Sequence, residues 1–279
     1  MSAALVVALA AMALAAQEPP TPPQRIVSLI PALTEVLFAI GAGPQVAAVS
    51  SFDKYPKEVE SLPRVGALVD PDLERILSLR PDLVLVYGSQ GDLRTQLERA
   101  HIPVYLYQHA GLADVTSTIR QLGLRVGRRE TADRLAADID AQLARIRARV
   151  AGRPRPRVLI VLGRESGALR GVYASGGVGF IHDMVDAAGG DNVFAGVKQQ
   201  ALQATSEQIL AQRPDVILEL RVGTLSPAQL EREIAVWKPL SSLPAVRDRR
   251  IVILTDQRTV VPGPRVAEGT DLIARVLHP

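Results

Sequence analysis

Four aromatic side chains, Phe52, Tyr55, Tyr87 and Tyr173, fall in stretches that read as loops or strand ends, the places where a cleft would be lined. Rings there can stack on a flat ligand, while Arg164, Arg170 and Arg258 offer donors to its carboxylate, phosphate or amide groups. Each of the seven also has an ordinary reading as surface or core packing. Enzymatic signatures are harder to find. His101, His109, His182 and His278 show no paired ligand spacing; His182 beside Asp183 is the nearest approach to a metal pair, and surface or capping is the plainer reading for a lone histidine at a helix start. Ser175-Gly176-Gly177-Val178-Gly179 is neither a phosphate loop nor a complete dinucleotide fingerprint, and reads as a flexible loop ahead of a helix. No Gly-x-Ser-x-Gly elbow occurs. With no cysteine, the chain has no disulfide, thiolate nucleophile, thiolate-held zinc or iron–sulfur cluster, and no lipid-modified N-terminal Cys. The side chains therefore point to holding a planar or partly apolar ligand without covalent chemistry. No catalytic residue, resident cofactor or metal is called for.

What must position these residues is a repeated element. Glu74-Arg75-Ile76-Leu77-Ser78-Leu79-Arg80-Pro81-Asp82-Leu83-Val84-Leu85 and Glu207-Gln208-Ile209-Leu210-Ala211-Gln212-Arg213-Pro214-Asp215-Val216-Ile217-Leu218 are identical at seven of twelve positions. Each copy reads as a short helix with Ile and Leu on one face, a Pro-Asp turn that ends it, and a buried strand. Two copies predict two similar lobes, and lobes joined along one chain enclose a cleft. Glu74 and Glu207 fall at equivalent places in the first helical turn, where the backbone dipole favours a carboxylate. If exposed, they present matching negative points to a partner.

Around the twin units, strands are predicted over 25–29, 46–49, 83–87, 104–107, 158–162, 216–220 and 251–254. Helices are predicted over 31–40, 93–100, 178–188, 205–212 and 265–277, with Asp70 as the cap of the first twin helix and Pro71 at its first position. The alternation predicts parallel β-α units. Over 128–151 the pattern changes: Leu135, Ile139, Leu143, Ile146 and Val150 recur at helical spacing, with nothing to break the helix before Gly152. About 24 residues at roughly 1.5 Å each make a rod long enough to cross between lobes. The expected organisation is an N-terminal lobe over 25–127, a bridging helix over 128–151 and a C-terminal lobe over 152–279.

Residues 5–16 form an unbroken apolar run, too short to span a bilayer. It ends in Ala13-Leu14-Ala15, a small-x-small cleavage pattern, although no Lys or Arg precedes it. An export signal over 1–16 and a proline-rich tether over 17–24 are expected. Hydrophobic residues make up 47% of the chain and charged ones 22%, ordinary for a globular protein. The 32 basic residues are interleaved with 29 acidic ones, so nucleic-acid binding has no support.

Several motifs carry a family resemblance: the run from Arg25 to Glu35, Gly41-Ala42-Gly43, the run from Val49 to Pro56, Pro63-Arg64-Val65-Gly66, both twin units, the run from Gly189 to Phe194, and Pro262-Gly263-Pro264-Arg265. In order and over nearly the whole mature chain, they resemble the helical-backbone substrate-binding proteins of ABC importers, and within that family its cobalamin-binding branch. The resemblance implies two Rossmann-like α/β lobes with parallel sheets bridged by one long helix, and a small-molecule ligand held in the cleft. It implies a monomeric, periplasmic carrier that delivers the ligand to a permease dimer with its ATPase, with Glu74 and Glu207 at the family's permease-docking positions. Phe52 matches an aromatic position around the corrin, whereas Leu68 and Ala201 fall where tryptophans stand in cobalamin-binding relatives. Ala67 falls where haem-binding relatives often supply a tyrosine ligand. Haem and ferric siderophores remain alternative ligands, and a metal-chelatase-like enzyme on the same scaffold an alternative class.

Overall fold

A computed structural model describes residues 21–108 and 110–279; the expected export signal, the first part of the tether and His109 lie outside the described residues. The N-terminal half forms β1 (Ile26–Ser28), α1 (Pro31–Ala39), β2 (Val46–Val49), α2 (Leu73–Ser78), β3 (Leu83–Tyr87), α3 (Gly91–Arg99), β4 (Val104–Tyr107) and α4 (Leu112–Arg125). Its four strands are all parallel, in the order β2-β1-β3-β4. Leu83 to Val86 are fully buried, because helices cover both faces of such a sheet.

Next comes α5 (Arg129–Val150), 22 residues without a break, hence about 33 Å long at 1.5 Å per residue. Its inner stripe of Ala132, Ala136, Ile139, Leu143, Ile146 and Val150 is buried in one continuous apolar core that also takes in β1, β3, β5 and β9. The long helix is thus part of the packing of both halves. At its start, α4 and α5 meet so closely that a Cβ on Gly123 would lie 2.1 Å from that of Ala132.

The C-terminal half forms β5 (Arg157–Gly163), β6 (Tyr173–Ser175), α6 (Phe180–Ala187), β7 (Asp191–Asn192), β8 (Ala201–Gln203), α7 (Ser206–Gln212), β9 (Val216–Leu220), α8 (Pro227–Ala235), α9 (Pro244–Arg247), β10 (Ile251–Leu254) and α10 (Val266–Leu277). The main path of this sheet runs β10-β9-β5-β6-β8. Here the expectation of parallel sheets needs correction. β10, β9, β5 and β7 run parallel, but β6 is antiparallel to β5 and β8 to β6. Residues 164–172 are too few for the crossover that a parallel neighbour requires, so the chain turns straight back.

The twin units repeat down to single hydrogen bonds. In each, a left-handed arginine, Arg80 at φ 47° and Arg213 at φ 46°, ends the helix ahead of the proline. The Asp82 carboxylate accepts from the backbone N–H of Arg25, and that of Asp215 from Arg157. The guanidinium groups of Arg25 and Arg157 then donate to the carbonyls of Leu79 and Gln212, the orphan acceptors at the helix ends. One detail differs from expectation: the first twin helix is capped by Asp72, which accepts from the Arg75 N–H, while Asp70 lies in the loop before it. The Ser175–Gly179 stretch is also more constrained than a flexible loop. Gly176 and Gly177 donate to the carbonyls of Gln200 and Val197, and a Cβ on Gly177 would lie 1.8 Å from the Ala195 carbonyl oxygen.

Candidate interlobe binding cleft

The carboxyl ends of strands in both sheets open onto the space between the lobes, the usual place for a ligand in open α/β sheets. Tyr87 and Tyr107 end β3 and β4, and Pro31 and Ala32 open α1 just after β1. From the other lobe come Phe180, the first residue of α6, and the Val260-Val261-Pro262 segment. Together these eight residues line an apolar hollow of about 320 Å³. A second hollow of about 430 Å³, lined by Leu162, Gly163, Arg164, Ile181, Leu220, Arg221, Val222 and Val260, meets the first at Val260 and at the start of α6.

Tyr87 and Tyr107 pack edge to face, with centroids 6.0 Å apart and planes at 60°. Burial pushes both phenols above their ordinary range, so they stay neutral O–H groups at physiological pH. Gln90 ties the rim to this pair: its amide oxygen accepts from the Tyr87 N–H and its amide nitrogen donates to the Leu68 carbonyl. Leu68 is thereby tied to the residue that holds Tyr87, with its side chain exposed. Phe52 follows β2 and is 65% exposed, and Tyr173, paired with Gly163 at the cleft end of β5, is 52% exposed. Both rings are exposed rather than packed in the core.

The three arginines expected to offer donors are placed differently. The Arg164 side chain is fully buried, with its guanidinium donating to Glu219 Oε1 at 3.0 Å and to the Glu233 carbonyl at 3.0 Å, and lying 5.9 Å from the Trp237 ring. Arg258 is held between Asp256 and Glu268 and lines a groove between α5 and α10, apart from the tyrosine pair. Arg170 reaches into solvent, 4.0 Å from Glu165. Tyr55 stacks under the Arg265 guanidinium at 3.8 Å and lines a separate hollow beside α1 and α5. Sequence reasoning named the arginines for their chemistry, but it cannot tell which of them finds an acid across the fold.

Residues that sequence reasoning passed over are Tyr107, Phe180, Arg221 and the segment 260–262. Tyr107 had a signal, since it closes a predicted strand as Tyr87 does. The Val260-Val261-Pro262 run, separated from the predicted strand 251–254 by the charged Asp256 and Arg258, had no such signal.

Two contacts lock the lobes together. Arg265, just before α10, makes a two-pronged bond to Glu35 of α1 at 2.9 and 2.6 Å. Asp183 of α6 accepts from the Leu112 N–H at the start of α4, so a carboxylate of one lobe caps a helix of the other. His182 faces Asn192 instead of a metal partner, and among the described residues no cluster of metal-ligating side chains occurs. Glu74 and Glu207 occupy the second positions of α2 and α7, and both are exposed. Among the described residues no helix is long and apolar enough to cross a membrane.

Comparison with known proteins bears directly on this architecture. The chain is 30% identical over 228 residues to the vitamin B12-binding protein of Pectobacterium carotovorum, covering 80% of this chain and 79% of that one. It is 29% identical to an uncharacterised ABC transporter substrate-binding lipoprotein of Bacillus subtilis, covering 92% and 81%. The solved structure of a periplasmic heme-binding protein from Roseiflexus superposes with a TM-score of 0.78 at 28% identity, covering 91% and 98%. With two lobes, a continuous α5 and a family model matched across residues 26–258, the chain belongs to the periplasmic binding protein family.

Proposed function

We propose that this protein is the substrate-binding component of an ABC importer that holds a cobalamin-type corrinoid between its lobes and hands it to a permease dimer with its ATPase. The carrying observation is the pair of hollows that share Val260, one of them lined by Tyr87, Tyr107, Phe180 and the 260–262 segment, together with the exposed side chains of Phe52, Leu68 and Tyr173. Apolar and aromatic walls around a few neutral hydroxyls suit a flat macrocycle fringed with amides. The likeness to a vitamin B12-binding protein over most of both chains supports the same ligand. Export through removal of residues 1–16 would place the mature chain in the periplasm, as a monomer.

The locks at Glu35–Arg265 and Asp183–Leu112, together with the unbroken α5, favour a preformed cleft with modest hinge motion. Glu74 and Glu207 then serve as docking points on the two lobes. Titration with cyanocobalamin, haemin and a neutral ferric hydroxamate tests the ligand. Preference for cyanocobalamin supports the reading, and failure to bind it overturns the corrinoid assignment. Reversing both charges in Glu74→Lys/Glu207→Lys is expected to abolish uptake in cells carrying the cognate permease while leaving ligand affinity intact. Undiminished uptake would remove the docking role.

A further inference from the structure

The cleft wall carries two arginines, and the protein has cancelled both. Arg164 and Arg221 are the charged residues lining the two hollows. Behind them stand Glu219, at the end of β9 and 1% exposed, and Glu233, on α8 and 7% exposed. Arg221 donates through Nε and Nη2 to Glu219 Oε2 at 3.1 and 3.0 Å, and through Nη2 to Glu233 Oε2 at 2.9 Å. Arg164 Nη2 lies 2.8 Å from the same Glu233 oxygen. Ser166 donates to the other Glu233 oxygen at 2.6 Å, and the Trp237 indole N–H donates to Glu219. The result is a closed cluster of two cations and two anions.

Other arginines, outside the two hollows, are also engaged. Arg64 spends its donors on the carbonyls of Ser50, Asp53 and Val59, Arg265 on Glu35, and Arg258 on Asp256 and Glu268. A guanidinium already bonded to a carboxylate has little left for a second anion, and its field is cancelled at cleft distances. Arg170 is mostly in water, where charge pairs contribute little.

From this arrangement we propose that Glu219 and Glu233 are specificity-determining residues: by neutralising Arg164 and Arg221 they make the cleft select ligands of no net charge and reject those with carboxylate or catecholate fringes. The proposal rests on the reading of the cleft as the ligand site and adds a charge rule to it. Burying an uncompensated carboxylate against apolar walls is costly, so anionic ligands are excluded by desolvation, without any repelling group.

The test uses two matched pairs of probes, each a neutral member and an anionic one. The first pair is cyanocobalamin and its derivative with peripheral amides hydrolysed to carboxylates; the second is a neutral ferric hydroxamate and a ferric tricatecholate. Affinities are measured by calorimetry for the full mature chain and for Glu233→Gln and Arg221→Gln. The wild-type protein is expected to prefer the neutral member of each pair it binds by tenfold or more. Glu233→Gln leaves one positive charge uncancelled and is expected to shift the anionic-to-neutral affinity ratio about tenfold toward the anion. Arg221→Gln leaves one negative charge uncancelled and shifts it the other way. A merely structural cluster would lower both affinities together and leave the ratio alone. Equal wild-type affinity within a pair, or a ratio unmoved by both variants, overturns the charge rule even if cyanocobalamin binds. A hydroxamate pair that obeys the rule while cyanocobalamin fails to bind sinks the corrinoid assignment and keeps the rule.

Discussion

Removing Arg265 should damage the protein far more than removing both it and its partner. In the Glu35–Arg265 bond the Glu35 side chain is only 4% exposed and that of Arg265 19%. Burial pushes the Glu35 carboxyl above the ordinary range even now, against the bond and charge of Arg265 that pull it down. Arg265→Met deletes that compensation and strands a buried carboxyl, which is expected to cost about 3–5 kcal/mol at pH 7. For a chain of this size that corresponds to a fall in melting temperature of roughly 6–20 °C. The sign of the pH dependence is a second check. A carboxyl with a raised folded-state pKa favours folding below its unfolded value of 4.5, and that contribution is lost as pH rises through the folded value. The deficit of Arg265→Met should therefore be largest near neutrality and shrink toward pH 4. The double variant Glu35→Leu/Arg265→Met removes both charges and is expected to recover to within about 1 kcal/mol of the wild type or better. Calorimetric melting of the wild type, Arg265→Met, Glu35→Leu and the double variant completes the cycle. Additive losses, or a single variant that melts within about 2 °C of wild type, would refute the buried, compensated pair.

Phe52→Ala is expected to weaken cyanocobalamin binding about tenfold while changing stability by less than about 0.5 kcal/mol, because the ring is 65% exposed; calorimetric titration and a melt together read this. Gly177→Ala drives a Cβ into the Ala195 carbonyl and should cost about 1–3 kcal/mol, read as a lower urea midpoint at unchanged slope. Gly91→Ala, in α3 with nothing within 4 Å of the new Cβ, should be neutral or gain up to about 1 kcal/mol. Burial pushes the Glu233 carboxyl up, but bonds from Ser166 and Arg221 and the Arg221 charge outweigh it and hold it at about 2, against 4.5 when unfolded. Its stabilisation is complete above pH 4.5 and lost as pH falls toward 2, so urea midpoints of wild type and Glu233→Gln should converge across that window.

Much of this fold was legible because its local signals agree with its global plan. The twin units announce themselves in sequence, since the αL arginine, the proline and the aspartate each satisfy a local backbone need. The long α5 was legible from its apolar period alone. Other features have no local signature. An exception is α4, whose stripe of Leu112, Val115, Ile119 and Leu122 was readable but passed over; α8 buries only Glu233, and β6 and β8, at three residues each, are too short to show a period. The cap shifted from Asp70 to Asp72 because Pro71 pairs with Gly66 in a bridge instead of starting the helix. At the cleft, strand-end tyrosines were foreseeable, whereas the fate of Arg164 depended on acids that tertiary packing brought to it.

Filling the space between the lobes tests the central claim most directly. Val261→Trp places an indole in the hollow beside Tyr87, Tyr107 and Phe180. Calorimetric titration with cyanocobalamin is expected to give one-to-one binding for the wild type and none for the variant, with the variant's cooperative melt preserved. Unchanged affinity in a folded Val261→Trp protein would place the ligand elsewhere and contradict the account.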